Sequence, residues 1–191
     1  MTQSKTLRRW ELALLLGVAL AALLGVWLDG AQAALSDRVI RLHVLANSDS
    51  EADQALKLRV RDAVLAEAEE LFVPGAGRAE TEELLRAHLY DLAAAGAEVV
   101  GEAGYSYPVT ASLVHDYWFP PKTYTDFALP AGAYTALRIE IGAGGGQNWW
   151  CVVFPPLCLG SVSETTQETA LEAGLTENQV SLMTGEDEGY V

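Results

Sequence analysis

Cysteine and histidine are scarce in this chain of 191 residues: two cysteines and three histidines. Two cysteines cannot staple a disulfide-dense miniprotein or fill a four-cysteine zinc site, so the fold must rest on an apolar core. His43, His88 and His115 stand far apart, without the close ligand spacing of a zinc motif. Cations are few as well, 12 Lys and Arg against 26 Asp and Glu, for a net charge of −14. Such a surface repels phosphate backbones and anionic lipid, which argues against nucleic acid or a bilayer surface as the partner. There is no G-x-S-x-G elbow and no cysteine with a matched histidine, so nucleophilic catalysis has no visible apparatus. Glycines cluster at 142–146, but a strand pattern follows them, whereas a phosphate cradle opens a helix. A hairpin turn is the better reading there, and we expect no catalytic residue, cofactor, metal or small-molecule substrate.

What is present begins with a segment that does not belong to a globular core. Lys5, Arg8 and Arg9 precede an almost purely apolar run over 12–28, which ends at Asp29-Gly30-Ala31-Gln32-Ala33. This is the charged, oily, small-residue order of a signal peptide, with cleavage expected between Ala33 and Ala34. As a helix the run reaches about 25 Å, short of the roughly 30 Å hydrocarbon core, although tilt and flanking residues would let an uncleaved anchor cross. In either case the basic flank stays cytoplasmic and the remainder is exported. Residues 1–33 are therefore assigned to the signal, 34–160 to a folded domain and 161–191 to an acidic tail.

The domain reads as α+β. RVIRLHVLA at 38–46 alternates, with Ile40, Leu42 and Val44 on one face and Arg41 and His43 on the other, the pattern of a half-buried strand. Asn47-Ser48-Asp49-Ser50 supplies capping oxygens for a helix, and Glu51 and Asp53 suit its positive end. Leu56, Val60, Val64, Ala68 and Leu71 then form an apolar stripe. After Pro74-Gly75-Ala76-Gly77 a second helix carries Leu85, Leu89 and Leu92 and ends at Gly96, so the two should pair as a hairpin. Beyond Gly101 the period becomes two, with strands predicted around Val109 to His115 and around Leu137, Ile139 and Ile141. The latter is expected to pair through the glycine turn with NWWCVVF, apolar on both faces and hence central or covered. A short helix is expected over 166–173, and GEDEGYV at the end should fray. The expected architecture is a helix hairpin packed on a mainly antiparallel sheet.

Cys151 and Cys158 suit a disulfide in an exported chain, provided 154–157 folds back to bring them within about 7 Å; two buried thiols are the other reading. Trp149 and Trp150 point to opposite faces of their strand, so both are core only if both faces are covered. Otherwise one ring is exposed and can anchor a protein partner.

RLHVLANSDSEADQALKLRVRDAV at 41–64, PAGAYTALRIEIGAGGGQNWWCVVFPPLC at 130–158 and FPPK at 119–122 resemble the signature blocks of the stage II sporulation protein R family. The likeness spans most of 38–160; Thr125 and Ala133 depart from it, where glycine and an acidic residue are expected. The resemblance implies a non-enzymatic signalling protein. By the same resemblance, the forespore is expected to secrete it into the intermembrane space, there to activate a membrane-embedded aspartic protease of the mother cell that processes the sigma E precursor. Asn47, Asp49, Tyr124 and Trp149 are the expected partner-binding residues, on a surface made by the ANSDS loop and the FPPK and NWWC segments. A secreted cell-wall hydrolase, with aromatic rings as sugar platforms, and a structural envelope protein are the rival readings.

Overall fold

The computed structural model describes residues 9–73, 75–124, 126–157 and 166–184; the side chains of residues 26–29, 31 and 32 lie outside that description. Its element order is α1 (Arg9–Ser36), β1 (Ile40–Leu45), α2 (Glu51–Glu70), α3 (Arg78–Ala87), α4 (Leu89–Glu102), β2 (Val109–Phe119), β3 (Lys122–Thr123), β4 (Ala128–Leu129), β5 (Gly132–Ile141), β6 (Asn148–Phe154), α5 (Thr166–Glu172) and α6 (Glu177–Thr184). The fold is α+β. One four-stranded sheet has the order β2-β5-β1-β6, antiparallel except where β1 and β5 run parallel. β3 and β4 form a small ribbon of their own.

The helix stripes assemble as their spacing predicts. Leu56, Val60, Val64 and Ala68 of α2, Leu85 of α3 and Leu92 of α4 join Ile40, Leu42, Val44, Leu137, Ile139, Ile141, Cys151 and Val153 in one buried core. Ser50 caps α2, its Oγ accepting from the Asp53 backbone N–H at 3.1 Å, which satisfies a donor that the first turn leaves without a partner. The second predicted helix is two, broken at His88, and it does not stop at Gly96. Gly96 lies where α4 crosses α2: a Cβ there would come within 3.0 Å of Val109 Cγ1 and 3.1 Å of Val60 Cγ1. The glycine marks close helix packing, a demand that looks the same in sequence as a helix stop.

Two further readings are corrected by the sheet order. β5 and β6 do not form a hairpin, because β1 lies between them, and the glycine loop bridges the end of the strand that separates them. Nor is β1 half-buried. All six of its residues are buried, since the face bearing Arg41 and His43 is covered by a second core of Leu35, Val39, Phe119, Phe127, Leu129, Tyr134, Ala136, Val152, Ala170, Leu175, Val180 and Met183. The segment read as an acidic tail thus contributes α5 and α6 to this second layer; GEDEGYV lies outside the described residues.

α1 exposes Trp10, Leu12, Leu16 and Leu23 to solvent. Among the described residues no helix is long and apolar enough to cross a membrane. α1 continues through Ala33 and Ala34, and its last turn is docked: Leu35 is buried in the second core and Gln179 Nε2 donates to the Ala34 carbonyl at 3.0 Å. Leu137, fully buried between the helices and the sheet, tests the first core. Leu137→Ala should lower the unfolding free energy by about 3 kcal/mol, read as a lower urea midpoint.

Candidate functional site

The ANSDS loop and the glycine loop interlock. Asn47 Nδ2 and Ser48 Oγ both donate to Asp53 Oδ2, at 2.9 and 2.5 Å, so the first turn of α2 holds the loop. Asn47 Oδ1 accepts from the Ala143 backbone N–H at 3.0 Å, and Asp49 Oδ1 from that of Gln147 at 2.8 Å. Buried Lys57 completes the lock, its Nζ donating to the Gln147 carbonyl at 3.0 Å and to Gln54 Oε1 at 2.6 Å. The backbones approach so closely that a Cβ on Gly146 would run into the Ser48 carbonyl, and Gly142, at φ +60°, sits against Asn47. Hydrogen bonds from Ser48 first, and then Asn47, hold the Asp53 carboxyl below the usual carboxylate range. Asn47 and Asp49, predicted to meet a partner, therefore spend these side-chain bonds inside the protein, positioning the segment that leads into β6.

The other two predicted partner residues lie together elsewhere. Tyr124 and Trp149 line a cleft of about 660 Å³ between the 122–127 segment and β6, with Lys122, Asp126, Asn148 and Trp150 also in its wall. Trp149 is 36 % exposed, and its ring is covered on one side by the Arg61 guanidinium 4.5 Å from the centroid. A sizeable concave site with a few polar groups is the usual form of a binding pocket.

Behind this wall is a group that strand alternation had assigned to the solvent side. Arg41 is fully buried, its guanidinium 4.1 Å from the Phe119 ring centroid and 5.0 Å from that of Tyr134. Among the described residues its guanidinium makes one hydrogen bond, a long one from Nη2 to the Tyr124 hydroxyl at 3.3 Å; there Nε and Nη1 have no hydrogen-bond partner, nor has the buried indole N–H of Trp150. Two residues along β1, His43 pairs across the sheet with Arg138 and Trp150. Its Nε2 meets Asn148 Oδ1 at 2.7 Å, its ring packs 5.1 Å from that of Tyr117, and Nδ1 is unsatisfied. Burial first, with Arg138 and Arg41 adding repulsion against the Asn148 bond and Glu140, lowers the His43 pKa, so the ring is neutral at pH 7. Sequence reasoning missed Arg41 and Trp150 as site residues; the only signal was a basic residue next to NWW-facing register positions, visible once the strand order is known.

A hydroxyl, an imidazole and a carboxylate also come together at Thr135, His115 and Glu82. His115 Nδ1 is 3.2 Å from Thr135 Oγ1 and Nε2 is 3.4 Å from Glu82 Oε1. Thr135 Oγ1 is buried and accepts from Arg78, while Glu82 is gripped by Arg78 and Arg86 at 2.8 and 2.7 Å. The threonine oxygen is thus engaged by a cation and sealed from substrate, so the group ties α3 to β2 and β5. Cys151 takes part in a disulfide; Cys158 and Thr125 lie outside the described residues. Among the described residues no cluster of three metal-ligating side chains forms.

The cleft on the α+β scaffold is both aromatic and polar. The Stage II sporulation protein R family matches residues 36–164, and the chain belongs to that family. Stage II sporulation protein R of Bacillus subtilis (strain 168) is 39 % identical over 124 residues, which are 65 % of this chain and 55 % of the relative. The match thus spans little more than half the length of that curated relative. No solved structure matches the chain.

Two outcomes check the lock and the buried imidazole. Gly146→Ala should destabilise the fold by about 2 kcal/mol, because the intruding atom meets backbone, measured by urea unfolding. For His43 the folded pKa lies below the unfolded one, so the unfolded state takes up the proton first and stability falls as pH drops from about 6.5. Unfolding midpoints at pH 7.5 and 5.5 should therefore differ, and the difference should shrink in His43→Gln.

Proposed function

We propose that this protein is a secreted signalling component of sporulation, recognised by a membrane-embedded aspartic protease that then processes the sigma E precursor. Membership in the stage II sporulation protein R family supports the sporulation role, and the family's name fits a regulatory protein rather than an enzyme. The basic flank and oily run of residues 5–28 support delivery into the space between forespore and mother cell. The single observation that carries recognition is the cleft at Tyr124 and Trp149: an exposed indole on the rim of a polar hollow is the kind of anchor that dominates protein interfaces.

In this reading the protein shifts the protease toward its active population by binding that conformation more tightly. Trp149 contributes contact area. Asn47 and Asp49 act at one remove, by fixing the glycine loop and hence the start of β6. Catalysis by the signal protein itself has no part in the mechanism.

The test is co-expression with the protease and the sigma E precursor, following precursor cleavage. Trp149→Ala should reduce processing at least fivefold in a variant that is exported and folded, whereas Leu182→Ala, at an exposed position of α6 remote in sequence from the cleft, should leave it intact. Full processing by Trp149→Ala would move the contact elsewhere, and release of fragments from peptidoglycan by the purified chain would favour a hydrolase.

A further inference from the structure

Among the described residues no carboxylate lies within ion-pair distance of the Arg41 guanidinium; every ion pair there involves other side chains. It is held by two aromatic faces and one long hydrogen bond, with Nε and Nη1 unsatisfied. Removing a charge from water without an opposite charge is costly, and ring faces offset only part of that cost. In a chain with a net charge of −14, acidic side chains to neutralise it are abundant, yet none of the described ones is placed there. The missing group is therefore an acceptor, and an anionic one.

The cleft lies next to it. Tyr124 is the partition: its ring lines the cleft and its hydroxyl lies between Arg41 Nη2 and the Trp150 carbonyl, 3.3 Å from each. Both bonds are at the long limit, so little is lost on breaking them. The other unsatisfied donor, Trp150 Nε1, belongs to a residue of the cleft wall, and Lys122 adds a second cation there.

We propose that the cleft binds a carboxylate-bearing peptide segment of a partner protein, an Asp or Glu side chain displacing the Tyr124 hydroxyl to meet the Arg41 guanidinium and the Trp150 indole N–H. A planar carboxylate matches the guanidinium fork in a bidentate pair. The Tyr124 ring, swung outward, then packs on the bound segment. The inference rests on the recognition role proposed above and specifies its chemistry. The overall negative charge disfavours acidic peptides on the general surface, so the local cations Arg41 and Lys122 must outweigh Asp126 in the cleft wall.

The experiment uses the full chain in neutral detergent micelles, with ¹⁵N-labelled tryptophan and the indole resonances assigned by single Trp→Phe changes. The probes are Ac-Ala-Asp-Ala-NH2, its Asn counterpart and inorganic phosphate. The Asp peptide should shift the Trp150 indole resonance saturably, at least tenfold more tightly than the Asn peptide or phosphate. Arg41→Met should lose that preference while keeping or raising the thermal midpoint, since an apolar replacement relieves a buried charge. Should Arg41→Met fail to fold, Tyr124→Phe decides: it retains the ring, removes the competing hydroxyl and should bind the Asp peptide several-fold more tightly. Equal binding of Asp and Asn peptides, equal binding of phosphate, or weaker binding by Tyr124→Phe overturns the proposal. Because the readout is a resonance and not precursor cleavage, its failure leaves the signalling role standing, and loss of that role leaves the carboxylate site standing.

Discussion

The placement of β1 between β5 and β6 is the constraint on which the rest of the molecule depends. A strand with neighbours on both sides and a packed layer on each face has every residue buried, so Arg41 and His43 must be accommodated inside. The lock between the ANSDS loop and the glycine loop follows from the same placement. The chain leaving β1 and the chain joining β5 to β6 emerge at one end of the sheet, where backbone groups take side-chain partners. Asn47, Asp49 and Lys57 supply them, and glycine at 142 and 146 leaves room for the approach.

The polar character of the second layer has a function-level meaning. One face of the sheet carries branched aliphatics packed on helices; the other carries a guanidinium, an imidazole and several aromatic rings. An apolar face would have been more stable. In the role that we propose, polar groups kept inside at a thermodynamic cost gather recognition chemistry beside the cleft where Tyr124, Trp149 and Trp150 meet.

Helical positions were the most legible in the sequence. The stripe at Leu56, Val60, Val64 and Ala68, the Ser50 cap and the inward set Leu137, Ile139 and Ile141 follow from periodicity, because each is decided by nearest neighbours in the chain. Arg41 was read as solvent-facing, since alternation separates two faces without revealing that a layer made by α1, α5, α6 and the β3–β4 ribbon covers the second. The glycines misled for a related reason. Gly96 and 142–146 were taken for a helix stop and a hairpin, whereas two of the glycines that matter most, Gly96 and Gly146, are small because another segment lies against them. Of the four partner residues expected from sequence, the structure brings Tyr124 and Trp149 together in the cleft and sets Asn47 and Asp49 to internal work, a division that required three-dimensional neighbours to see.

The interlock joins residues that lie 96 apart in the chain, Asn47 and Ala143. A polypeptide emerging from its amino terminus makes its central strand first, yet neither flanking strand exists until most of the remaining chain has been produced. Closing so long a loop precedes any reward from pairing, which slows assembly of the sheet. A central strand that stays unpaired until its neighbours are made suits a chain that is threaded end-first through a narrow pore, the journey that we propose for it.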